Sequence, residues 1–175
     1  MWLTWANGLT AFRLLAIGPG VWAIVTGRWG LAALLFGLAV ATDLADGPIA
    51  RRFNHASRLG GLFDHSTDAV YVAAHLGALA WMDYLNGWLA PLVLLAFTQY
   101  VLDSRALAGA VLKTSFVGRH NGIAYFVLVG IVVIREAVGL AWPPLAWIAG
   151  LGWLLVATTL LSMLDRAWTL IRQRG

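Results

Sequence analysis

The chain has 175 residues, 61% hydrophobic and 11% charged, with a mean hydropathy of +0.78 and a formal net charge of +4. That length suits a single domain over residues 1–175, and that hydropathy lies outside the range of soluble globular chains and points to a bilayer. The absence of cysteine excludes disulfides, thiolate metal sites and cysteine nucleophiles, and basic residues with no interleaved aromatic stripe exclude a nucleic-acid surface.

Residues 1–8 carry two tryptophans and little charge, which predicts a short helix lying in the membrane interface. A first apolar segment runs from Leu9 to about Val25, contains Arg13, and ends at a turn from Thr26 to Gly30. With Arg13 inside it and no small-x-small cleavage pattern after it, this segment is not expected to be a cleavable signal. A second apolar run begins at Leu31 and closes at Arg51-Arg52; the third extends from about Gly60 to Trp81, after a polar loop. The fourth runs from Trp88 to about Leu102 and can extend to Leu112. A polar connection from Lys113 to Asn121 precedes a fifth segment centred on Ile123 to Ile134, and the sixth spans Leu145 to Leu164, followed by a basic tail. Trp22, Trp29, Trp81, Trp88, Trp142 and Trp153 fall near segment ends, as an aromatic belt would.

The expected fold is therefore an all-α integral membrane protein with six transmembrane helices. Segments of about 17–25 residues at 1.5 Å per residue can cross a hydrocarbon core of ~30 Å. The short alternating segments of a transmembrane barrel do not occur, nor does an internal repeat. If both termini share a side with the 52–59 loop and the 105–120 connection, that side holds ten of the twelve basic residues, leaving Arg28 and Arg135 opposite. The bias makes this side cytoplasmic, in a bacterial inner membrane. Arg166, Arg172 and Arg174 read as topology signals.

Four of the eight acidic residues lie within Asp43 to Asp68. Asp43 and Asp46 are three apart and Asp64 and Asp68 four apart, so each pair shares a helical face; the short loop makes their helices antiparallel neighbours. Four dehydrated carboxylates repel unless cations hold them together. Two divalent cations satisfy them, and oxygen ligands favour Mg²⁺, Mn²⁺ or Ca²⁺ over zinc. Such a pair can clamp a diphosphate and stabilise a leaving phosphoryl oxygen. His65 is rotated off the acidic face and reads as structural. Gly47 and Gly60 leave room beside the carboxylates, Gly61, Gly77 and Gly87 suit helix packing, and Pro48 predicts a kink beside Asp46. Arg51 or Arg52 can contact a phosphate.

The run Asp43, Asp46, Gly47, Ala50, Arg51, Gly60, Asp64, Asp68 resembles the signature of the CDP-alcohol phosphotransferase (CDP-alcohol phosphatidyltransferase) family, Asp-x2-Asp-Gly-x2-Ala-Arg-x8-Gly-x3-Asp-x3-Asp, at every fixed position. Asn7, Thr10 and Arg13 resemble the Asn-x-x-Thr-x-x-Arg opening of bacterial members. The resemblance implies transfer of a phosphatidyl group from CDP-diacylglycerol to a small polar alcohol with release of CMP. It implies Asp43, Asp46, Asp64 and Asp68 as ligands of two divalent metals (Mg²⁺ or Mn²⁺), Asp68 also as the base towards the acceptor hydroxyl, and a homodimer. Gly47, Ala50 and Gly60 would line the cytidine pocket and Arg51 would contact a phosphate.

The segment Lys113 to Asn121 is similar to the Lys-x-Ser-x-x-Gly-Lys-x-Lys segment of phosphatidylglycerophosphate synthases, with Arg119 and Asn121 in place of the last two lysines. This implies Lys113, Ser115 and Arg119 as acceptor ligands and sn-glycerol 3-phosphate as the acceptor; an inositol phosphate would also want several cations. Asp103 and Arg105 read as a structural pair, and His75 as a buried, hydrogen-bonded histidine. Intramembrane acids also mark ion pathways, so a divalent-cation transporter is the rival from another class, although the acids have no matching pair in a second half. A scaffold without activity is the third reading.

Overall fold

The computed structural model describes the backbone of residues 5–52, 58–103 and 116–174 and the side chains of 8–45, 60–103, 117–169 and 172. It is all-helical there: α1 (Trp5–Val25), α2 (Trp29–Arg52), α3 (Arg58–Trp81), α4 (Leu89–Asp103), α5 (Phe116–Ala137) and α6 (Leu145–Arg174). Short turns join α1 to α2, α3 to α4 and α5 to α6 at one end of the bundle. Three of these ends close alike. Gly27, Asp83 and Gly139 take positive φ after α1, α3 and α5, and the next residue's N–H returns to the helix, as Arg28 does to the Ala23 carbonyl at 2.8 Å. This is the αL termination in which glycine avoids a Cβ penalty. Asn86 starts α4 by accepting hydrogen bonds from the amides of Trp88 and Leu89.

The segments Gly8–Val25, Val117–Ala137 and Leu145–Thr169 are long and apolar enough to cross a membrane on their own, whereas the apolar parts of α2 and α4 are shorter. The bundle exposes large hydrophobics all round, including Leu15, Leu34, Leu95, Trp153 and Leu164. An apolar surface that extensive belongs in lipid, and the chain is an integral membrane protein. Helix α3 occupies the centre, packed on α1, α4 and α5, while α2 packs on α1 and α5, and α6 on α4 and α5. Leu76 and Leu79 of α3 meet Ile24, Leu128, Val132 and Ile148 in a core with almost no exposure.

Several boundaries differ from the sequence expectation. No separate interfacial helix precedes α1 among the described residues; Trp5 to Gly8 form its first turns. Helix α5 begins at Phe116, so Arg119 and Asn121 lie in a helix and not in a connection. Gly118, Asn121 and Gly122 are poor helix formers, but Asn121 and Tyr125 are buried one turn apart, and tertiary packing overrides propensity. Helix α6 continues through the basic tail to Arg174, and α2 runs through Pro48 to Arg52. Gly77 packs against Ala90 as expected, but a Cβ on Gly61 or Gly87 would meet open space; the close approaches are instead Gly20 against His75 and Gly130 against Phe36.

Candidate functional site

The site forms at the end of the bundle opposite those turns. Helix α1 contributes Thr10 and Arg13, one turn apart; α2 contributes Asp43; α3 contributes Asp64, His65 and Asp68. Arg13 is fully buried at their centre. Its Nη1 donates to Asp43 Oδ1 and to Asp68 Oδ1 (2.5 Å), and its Nη2 to Asp64 Oδ1 (2.6 Å). Thr10 Oγ1 lies 3.5 Å from the same Asp64 oxygen. One guanidinium thus ties three carboxylates from two helices, an arrangement that a charge buried this deeply requires. By sequence, Arg13 reads only as part of an N-terminal pattern near the cytoplasmic side. The available signal was a charged residue inside a spanning segment, which is a functional candidate by default.

The acids also fit a divalent cation. One ligand atom each from Asp64, His65 and Asp68 can lie within 4.8 Å of one another. Opposite ligands of an octahedral Mg²⁺ at about 2.1 Å are separated by ~4.2 Å, and those of Ca²⁺ by about 5 Å, so the three come within a Ca²⁺-sized sphere and stand slightly wider than a Mg²⁺ one. His65, expected to be structural, therefore belongs to the acidic group; its Nδ1 is 3.7 Å from Asp64 Oδ2 and half its side chain is exposed. Asp46, Gly47, Ala50 and Arg51 lie on the last turns of α2, where side chains fall outside the described residues, as do Lys113 and Ser115 entirely. Gly60 is half-buried in the first turn of α3, four residues before Asp64.

A cavity of about 570 Å³ opens beside the acids, between α3, α4, α5 and α6. Asp43 and Asp68 form one wall, whereas Asp64 does not reach it. Arg119 and Asn121 of α5 and Ser162 and Arg166 of α6 add polar groups, and Val93, Phe97, Phe126 and Met163 make much of the remaining surface. Arg166 stacks 4.8 Å over the Tyr100 ring and lies 3.9 Å from Asp103 Oδ2. Asp103 is thus the partner of a distant helix; Arg105 lies outside the described residues. The expectation of Arg166 as a mere topology signal is also corrected, because the continued α6 helix carries it to the cavity with 14% of its side chain exposed. Thr159, Ser162 and Arg166, spaced by three and four, form a polar stripe on one face of α6 that the sequence reading passed over.

Buried polar atoms complete the cavity. Tyr125 and Thr159 share a 2.6 Å hydrogen bond across α5 and α6. The Tyr100 hydroxyl, on a residue lining the cavity, is buried with no hydrogen-bond partner among the described residues, and the buried Asn121 side chain sits beside the Tyr125 hydroxyl. An unmet hydroxyl carries a desolvation cost of about 1–3 kcal/mol unless a ligand or water meets it. His75, two turns beyond Asp68, is buried and donates from Nδ1 to the Tyr71 carbonyl at 2.7 Å, the structural role expected of it.

Residues 3–164 match the CDP-alcohol phosphatidyltransferase family. The chain is 37% identical over 100 residues to a cardiolipin synthase (CMP-forming) of Streptomyces coelicolor, covering 54% of this chain and 46% of that protein. It is 30% identical over 160 residues to a CDP-diacylglycerol–glycerol-3-phosphate 3-phosphatidyltransferase of Cereibacter sphaeroides, covering 81% and 70% of the two chains. A Salmonella choleraesuis protein of the same name is 29% identical over 173 residues, covering 90% and 89%. The match therefore spans about half the length of the first of these relatives and most of the other two.

Proposed function

The chain belongs to the CDP-alcohol phosphatidyltransferase family, and we propose that it transfers a phosphatidyl group from CDP-diacylglycerol to a glycerol-based alcohol, releasing CMP. The observation that carries this reading is one cavity, among the described residues, with carboxylates on one wall and two arginines on another. Asp43, Asp46, Asp64 and Asp68 would hold two divalent cations, Mg²⁺ or Mn²⁺, with His65 beside them. When bound, these ions supply charge neutralisation on the diphosphate and its leaving oxygen.

The chain's own residues would do the rest. Gly47, Ala50 and Gly60 line the cytidine site, and Arg51 contacts a phosphate. Asp68, the α3 acid facing the cavity, orients the acceptor hydroxyl and takes its proton as the new oxygen–phosphorus bond forms and the bond to CMP breaks. Arg119 and Arg166, with Lys113 and Ser115 on the approach to α5, bind the phosphate of the acceptor. Tyr100 offers its unmet donor to the remaining oxygens. The transporter reading is set aside with family membership.

A glycerol carrying a phosphate is the acceptor chemistry this cavity suits, and sn-glycerol 3-phosphate is its soluble source. A second reading, phosphatidylglycerol as the acceptor, is favoured by the apolar walls from Val93, Phe97 and Phe126 and by a neutral Asn121. The positive bias supports a site at the cytoplasmic face, and the reading takes the membrane as a bacterial inner one, where a soluble alcohol and a membrane-held donor would both reach it. A homodimer belongs to the same reading, and native mass spectrometry from nanodiscs checks it. The deciding experiment supplies the purified protein with CDP-diacylglycerol and Mn²⁺ or Mg²⁺, and glycerol 3-phosphate, phosphatidylglycerol or an inositol phosphate in separate arms. CMP release with one acceptor names the activity; no release in any arm refutes the proposal.

A further inference from the structure

Arg13 sits at the centre of the acidic site, yet the reaction above assigns it nothing, because four acids and two divalent ions form a working set without it. Its side chain is fully buried and makes hydrogen bonds to Asp43, Asp64 and Asp68. A guanidinium stays charged at any working pH, and its planar fork meets several carboxylates at once.

We infer that Arg13 is a positioning residue that serves as the resident cation of the acidic site, so that divalent ions bind there in competition with α1. The inference rests on the metal-dependent reading above. Two effects act in the same direction. Arg13 occupies the Oδ1 atom of each of the three acids, oxygens that an ion would otherwise use. It also reduces the charge of those three groups from −3 to −2, so an incoming ion meets a weaker field and a like charge within a few ångströms. In return the guanidinium joins α1 to α2 and α3 and keeps the carboxylates from spreading apart. Removing it therefore tightens metal binding while loosening the helices, whereas a residue that only supports the fold would weaken both.

The test uses the full chain in detergent micelles, with Mn²⁺ alone as the probe. Free Mn²⁺ is followed by electron paramagnetic resonance, and thermal unfolding is recorded in EDTA. Arg13→Gln is expected to lower the Mn²⁺ Kd at least tenfold and to lower the Tm in EDTA. Arg13→Lys keeps the charge but loses the fork; it is expected to tighten binding by a smaller factor, and it serves if the glutamine variant does not fold. Unchanged or weaker Mn²⁺ binding in a folded variant, beside a wild type that binds, overturns the inference and leaves the enzymatic reading standing. A wild-type chain that binds no Mn²⁺ is a separate outcome that refutes the metal-dependent reading and this inference with it.

Discussion

Replacing Gly20 with alanine perturbs the packing that sets the site. Gly20 lies two turns beyond Arg13 on the same face of α1 and meets His75, which lies two turns beyond Asp68 on α3. A Cβ there would sit 2.4 Å from His75 Nε2 and 3.1 Å from Cε1, against an ordinary contact of about 3.5 Å. The ring cannot simply swing aside, because its Nδ1 is bonded to the Tyr71 carbonyl and its face stacks on the Tyr71 ring at 4.1 Å. The clash is relieved by α1 moving off α3 by about 1 Å and by the histidine giving up its bond. Overpacking of this kind costs about 1–3 kcal/mol, and the lost hydrogen bond adds ~1 kcal/mol. The expected total is about 2–4 kcal/mol, an apparent Tm fall of roughly 5–10 °C. Thermal unfolding in detergent measures it, with His75→Ala as the second arm of a double-mutant cycle. In the His75→Ala background, Gly20→Ala should cost close to nothing. Equal costs in both backgrounds, or no loss in the wild-type background, would refute the argument that this contact fixes α1 on α3.

Asp68→Asn is expected to abolish turnover while CDP-diacylglycerol binding, measured by equilibrium dialysis, stays largely intact; equal loss of both would make Asp68 chiefly a ligand. Arg166→Ala removes a charged contact worth about 1.5–3 kcal/mol, so the acceptor KM should rise roughly 10- to 150-fold with little change in the KM for CDP-diacylglycerol. An unchanged acceptor KM would return Arg166 to a structural role with Asp103 and Tyr100. Gly27→Ala forces a Cβ into φ +68° and should cost about 1 kcal/mol in thermal unfolding, with turnover at the distant site unaffected.

The acidic residues were legible because their chemistry is encoded locally. Asp43 and Asp46, then Asp64 and Asp68, share helix faces by spacing alone, and nothing else in so apolar a chain explains them. The same local logic found the six helices, the glycine turn at Gly27 and the buried role of His75. It failed at Arg166, where the tail reads as polar and basic, because a helix supported by tertiary contacts continues through sequence that would not hold one alone. It did not anticipate that His65, at the edge of the helical face, comes within 3.7 Å of Asp64 Oδ2.

By itself the sequence determined the solvent, the helical class, and the carboxylate spacing that marks the family. Those properties depend on composition and on residues within two turns of each other. Only the tertiary structure decided that Arg13 stands among the acids, that Asp43 and Asp68 share a cavity with Arg119 and Arg166, and that Asp103 pairs across to α6. These contacts join helices far apart in the chain. Their partners follow from which faces pack in the bundle, and no local pattern records that choice.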